Sequence, residues 1–189
     1  KGSAMVKSMP IDEFSGLAEK KYYATNLEDL DLEDNVYLDD KKLLSHALVT
    51  EEAMLDNKGV TNSEGSTRSF SKSTFSIVNS RDFQASYNKT YHSISSIAIA
   101  GSDTNMQRDY EYSAAIHSDD LVSAMKVGSL AAKSDKSRLN SKKIKSCSLD
   151  VIFEPRVARS ILSSFCSCAS GSSISRGTSF LNNKLDSLI

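Results

Sequence analysis

Three histidines, three cysteines and an abundance of serine are the side chains with which this sequence could do chemistry. His46, His92 and His117 lie far from one another in sequence, so each reads as a surface or hydrogen-bonded residue and not as a metal ligand. Cys166 and Cys168 form a C-x-C pair, and a zinc site would need a second pair that the sequence does not supply. With Cys147 they make an odd number and read as free thiols, the C-x-C pair small and half-buried. Gly171-Ser172-Ser173 lacks the strand–turn–helix setting of a nucleophile elbow and has no histidine nearby. No triad, phosphate loop or metal set stands out. Spacing alone takes the chemistry no further than a soluble α+β domain.

Composition narrows the class. A length of 189 residues suits one domain, or one domain and part of another. Hydrophobic residues at 39% are enough for a core. A net charge of -1 gives no global field for nucleic acid or an anionic membrane. The charge is nevertheless uneven. Glu28, Asp29, Asp31, Glu33, Asp34, Asp39 and Asp40 form an acidic run. Lys133, Lys136, Arg138, Lys142, Lys143 and Lys145 form a basic one. Both read as solvated linkers, or the basic run as a surface for a partner. The start carries no secretory pattern and no apolar run could span a bilayer, so a reducing cytoplasmic compartment is expected.

The stretch from Gly59 to Ala115 is what could position a site. It predicts an antiparallel meander with strands at Ser66 to Val78, Phe83 to Ala100 and Met106 to Ala114, and turns at Asn79 to Asp82 and Gly101 to Asn105. Alternation predicts that Phe83, Tyr87, Tyr110 and Tyr112 pack under a helix, with Gln107, Asp109, Glu111 and Ser113 on a polar face. Ile97 to Ala100 is apolar on both sides and predicts a layer on each face. Before the meander, a loop is expected at Ile11 to Ala18. The acidic segment then leads into a helix from Asp40 to Asp56 with Leu44, Ala47, Leu48 and Leu55 on one face. After it, Ser118 caps a helix that uses Leu121, Val122, Met125, Val127, Leu130 and Ala131 and frays into the basic run. Cys147 to Phe153 predicts a short strand, and Pro155 opens a helix ending at Ala169-Ser170-Gly171, striped by Val157, Ile161 and Phe165. Residues 1–145 are thus expected to be the rest of an N-terminal α+β domain with its basic linker, and residues 146–189 the beginning of a second. The chain reads as a piece of a larger protein.

Four segments in order carry a family resemblance: Thr61-Asn62-Ser63-Glu64-Gly65, Met106 to Ser113, Val151 to Ala158 and Arg176-Gly177-Thr178-Ser179-Phe180-Leu181. Together they resemble the PmbA (TldE) branch of the TldD/PmbA family, first described as modulators of DNA gyrase. Ile11 to Ala18 is similar to the matching early segment, which favours a native beginning over a tag scar at Gly2 to Met5. The resemblance implies a cytoplasmic zinc-protease pair that cleaves extended or unfolded peptides. The zinc subunit of such a pair carries His-Glu-x-x-x-His, two imidazoles for Zn²⁺ and a carboxylate to activate water. In this chain those positions fall near Ser163, Ser164 and Cys168. The resemblance therefore implies a non-catalytic subunit with no metal of its own, zinc in a TldD-like partner subunit, and unfolded peptide as substrate. It leaves room for a homodimer in isolation. Glu64, Arg108, Asp109 and Tyr110 are the motif residues that would line a peptide cleft or interface, or else simply hold turn and strands together. The alternative function is a regulatory binding protein acting on a larger partner such as DNA gyrase, without proteolysis.

Overall fold

The computed structural model describes residues 2–9, 11, 16–26 and 28–187. Part of the loop expected at Ile11 to Ala18 and one residue of the acidic segment lie outside them. The chain divides into two compact units, Leu17–Lys143 and Lys1–Gly16 with Ile144–Ile189. The architecture is α+β. Among the described residues it comprises a three-stranded antiparallel sheet and five α-helices.

The larger unit contains helix α2 (Asp40–Leu55), strands β1 (Val60–Val78), β2 (Gln84–Ala100) and β3 (Gln107–Ala115), and helix α3 (Ala124–Ser137). The sheet order is β1-β2-β3, so the meander forms as expected. The first strand begins at Val60, earlier than the expected Ser66, because Gly65 sits within the strand. Its φ of 106° marks a shift of register between Ser63 and Gly65 within a strand that pairs onward to Ala100. β3 stops opposite His92, whereas the β1–β2 ribbon continues to the turn at Asn79.

Helix α2 starts at Asp39, whose carboxylate accepts the Lys42 amide at 2.8 Å. Asp39→Ala is expected to lower stability by about 1 kcal/mol, the usual cost of a lost cap, as read from urea unfolding. The face that packs is not the leucine stripe. Leu44 and Leu48 remain 60% and 55% exposed, while Thr50 and Met54 are fully buried. Closeness of approach decides this. A Cβ on Gly128 of α3 would stand 2.2 Å from the Thr50 carbonyl oxygen, so the two backbones touch where only small residues fit. Thr50 satisfies its hydroxyl on the His46 carbonyl at 2.7 Å and can therefore be buried. Met54, Ala98, Ala131 and Ala132 form the core, with Val60 against it.

Helix α3 begins at Ala124, not at Ser118. Ser118–Asp120 is a single 3₁₀ turn, and the Ser118 amide is committed to Asp34 Oδ2 at 2.7 Å. Val127 and Ala131 are buried as expected, whereas Met125 is exposed. The helix extends through Lys133 and Lys136 instead of fraying before them.

The sheet face under the helices is also the opposite of the expected one. Along β2 the buried residues are Thr90, His92, Ile94, Ser96, Ala98 and Ala100. Tyr87, Tyr110 and Tyr112 are on the open face, and half-buried Phe83 packs on Tyr23 with ring centroids 4.9 Å apart. Polar residues can occupy the covered face because they find partners there. Ser96 Oγ lies 2.8 Å from Ser66 Oγ and 3.0 Å from Met54 Sδ.

The smaller unit contains α1 (Gly2–Val6), α4 (Pro155–Cys168) and α5 (Gly171–Ser175). Pro155 stands in the first turn of α4, and Ala169 ends it, as expected. Cys147 to Phe153 forms no strand. It is exposed throughout, and a strand needs a ladder partner that none of the described residues provides. Among the described residues no helix is long and apolar enough to cross a membrane.

Candidate peptide-binding face

Glu64 sits between Ser63 and Gly65, where β1 shifts register by one residue, and that extra residue turns its side chain to the open face of the sheet. There Arg108 of β3 reaches back across β2, its Nε 2.7 Å from Glu64 Oε2. Both side chains are about half exposed, so the pair contributes less than about 1 kcal/mol to stability. Tyr110 and Tyr112 stack beside it with ring centroids 6.2 Å apart, and Tyr110 lies opposite Ile97 in the register. Aromatic rings, half-buried isoleucines and an accessible ion pair on one sheet face suit a polypeptide better than a small molecule.

Asp109 is not part of this face. Alternation sends it under α3, where its carboxylate is 5% exposed and meets Arg138 Nε at 2.8 Å. The sequence quartet therefore splits. Glu64 and Arg108 pair, Tyr110 shares their open face, and Asp109 anchors a helix on the other side. Arg138, the third member of the basic run, is thereby an internal partner.

Next to Asp109 lies Asp135 of α3, fully buried, with neither carboxylate oxygen hydrogen-bonded among the described residues. Burial and the Asp109 charge push its pKa up to about 6, with Arg138 opposing them.

Sequence reasoning missed a second polar cluster. His92, fully buried on β2, faces Asp34 Oδ2 from Nε2 at 3.1 Å. Its Nδ1 lies 3.2 Å from Arg68 Nη2, and since arginine only donates, Nδ1 accepts and the ring proton is on Nε2. Burial, then the Arg68 charge, lowers the His92 pKa and keeps the ring neutral. The Ser118 and Val36 amides hold Asp34 below its ordinary pKa. Nδ1 is bonded to Arg68, Nε2 faces Asp34 without a well-aligned hydrogen bond, and among the described residues no cysteine or serine is hydrogen-bonded to the ring, so the cluster latches the acidic segment to the sheet instead of moving protons. The one available signal was the period of two that aligns Thr90, His92 and Ile94.

The family resemblance puts zinc chemistry on α4, where Ser163, Ser164 and Cys168 stand. These residues do not fit a zinc site: two hydroxyls and one half-buried thiol cannot replace two imidazoles and a carboxylate. Among the described residues no three His, Cys, Asp or Glu side chains could share a metal ion.

Comparison with known proteins extends the resemblance. The PmbA/TldA metallopeptidase central-domain model matches residues 26–139, and the C-terminal-domain model of the same family matches residues 146–189. The chain is 35% identical over 96% of its length to a metalloprotease PmbA homolog of Haemophilus influenzae. It is 34% identical over 94% of its length to one of Buchnera aphidicola from Baizongia pistaciae, and 32% identical over 94% of its length to metalloprotease PmbA of Escherichia coli O157:H7. It spans 39 to 41% of the length of these relatives. A crystal structure from Bacteroides thetaiotaomicron, named for modulation of DNA gyrase, superposes with a TM-score of 0.85 at 25% identity, covering 98% of this chain and 43% of that one. Two family domains matched in succession leave one assignment: the chain belongs to the PmbA/TldD metallopeptidase family.

Proposed function

We propose that this chain is part of a non-catalytic PmbA/TldE-type subunit, which acts with a zinc-bearing TldD-like partner in the cytoplasm to degrade unfolded or extended peptides. The observation that carries the reading is α4, whose serines and cysteines stand where the zinc helix of the family needs two histidines and a glutamate. The open face with Glu64, Arg108 and Tyr110 would contribute to the peptide cleft or to the subunit interface. In this reading residues 26–139 make up the family's central domain and residues 146–189 begin the C-terminal one. The test is co-purification of the full-length protein from its source, with mass spectrometry of the partner and metal analysis of the pair. A partner carrying His-Glu-x-x-x-His and one zinc per pair is the expected result. Recovery of the protein without such a partner overturns the reading.

A second reading, regulation of a large partner such as gyrase without proteolysis, is supported by the exposed Lys142, Lys143 and Lys145 and by the name given to the Bacteroides structure. Gyrase in place of a protease in the same co-purification would favour it.

A further inference from the structure

Beyond the end of β3 the sheet narrows to the β1–β2 ribbon, and the acidic segment runs beside it. Leu32 accepts the Thr90 amide at 3.0 Å, and Thr90 Oγ1 accepts the Asp34 amide at 2.8 Å, so segment and ribbon are closed together at that end. Away from it they diverge and leave a groove of about 920 Å³. Its floor is apolar, formed by Ile77, Phe83, Ala85 and Tyr87. Its acidic side includes Glu28 and Asp29, neither of which has a cation partner among the described residues. The outer edge of β2 also faces it. The Thr90 amide points outward, and a strand repeats every two residues, so the amides of Ser86 and Asn88 point outward too. Among the described residues no main-chain group bonds them there, because β3 has already ended at the register of His92.

Three features of one groove thus specify one kind of occupant. An unpaired strand edge accepts an extended main chain, largely independent of sequence. An apolar floor takes every second side chain. Glu28 and Asp29, the carboxylates of the lining without a cation partner among the described residues, select positive charge. We propose that the groove binds an unfolded polypeptide as an added strand on β2, with preference for segments in which Lys or Arg accompanies alternating apolar residues. The proposal rests on the peptide-handling reading above and gives it a second site, on a different part of the sheet from Glu64 and Arg108.

The test is fluorescence anisotropy with the full-length protein and a labelled, end-capped nonapeptide of alternating Lys and Val. It should bind about tenfold more tightly than the Glu/Val counterpart and lose about tenfold when alternate amides are N-methylated. Glu28→Lys combined with Asp29→Lys should cost the Lys/Val peptide about tenfold and reverse its preference over Glu/Val. Ser86→Pro, which removes one outward amide at an edge that tolerates proline, should weaken both peptides, with circular dichroism confirming the fold. Affinities unchanged by N-methylation and by both variants overturn the groove while leaving the partner reading intact. Groove-dependent binding with no cleavage on adding a zinc-bearing partner overturns that reading and leaves the groove.

Discussion

Asp135→Asn is expected to stabilise the protein by about 2 kcal/mol at pH 8 and to leave it nearly unchanged at pH 4. The carboxyl is buried on α3 with no hydrogen-bond partner among the described residues, lies near the Asp109 carboxylate of β3, and is opposed by the charge of Arg138, which caps α3. Its folded pKa is raised from the ordinary 3.8 to about 6. Between those values the folded state holds a proton that the unfolded chain has released. Stability therefore falls as pH rises through that window, and below it the contribution is fully present. A shift of this size corresponds to roughly 3 kcal/mol above pH 6. An asparagine resembles the neutral carboxyl in size and removes that dependence. Its amide still lacks partners, which is why the expected gain is smaller. Urea unfolding of both proteins at pH 4 and pH 8 reads the effect. A difference that does not change with pH, or a loss at pH 8, would contradict the burial-driven shift.

Asp135 also shows what could be read from the sequence and what could not. Strand number, order and turns followed from alternation and from turn residues such as Asn79 and Gly101, because those signals are local. Which face of each element is covered did not follow. Period two fixes which residues share a face, but hydrophobicity chose the tyrosines, whereas the covered face carries Thr90, His92, Ser96 and Asp109. Each of the first three buys its burial with a contact from a distant segment: Leu32, Asp34 or Ser66. In the same way the α2 leucines lost to Thr50 and Met54, because Gly128 lets a second helix approach only at that point. These choices depend on residues far apart in the chain and leave no trace in a single window.

The site was legible to the same degree. The cluster of motif residues pointed to Glu64 and Arg108, which meet, to Tyr110, which shares their face, and to Asp109, which period two sends through the sheet to Arg138. The groove between the acidic segment and the ribbon was invisible, since it depends on β3 ending nine residues before the β1–β2 turn, measured along β2 from His92 to Phe83. The acidic run looked like solvated linker. Its position beside an unpaired strand edge gives it an electrostatic role.

The largest expected effect is on cleavage. If the chain is part of a non-catalytic subunit, the full-length protein alone should leave an unfolded peptide intact. Adding the zinc-bearing partner should raise the rate by at least about a hundredfold, since metal-activated water supplies the nucleophile. Replacing the metal-site glutamate of that partner should abolish the gain. Ser163→Ala and Cys168→Ser in this chain should change the rate of the pair little. Ser163 is exposed, and its carbonyl accepts the Ser167 hydroxyl of the same helix at 2.9 Å. The Cys168 carbonyl, not its thiol, accepts the Ser179 hydroxyl at 2.6 Å, so the substitution leaves that bond in place. Arg108→Ala, by contrast, should raise the KM of the pair more than it lowers kcat, because an accessible charge on the open face can bind a peptide but lies on no reacting atom. Cleavage by this protein alone that persists in chelator and is lost on replacing Cys166, Cys168 or Ser172 would refute the partner reading and assign a thiol or hydroxyl nucleophile to this chain.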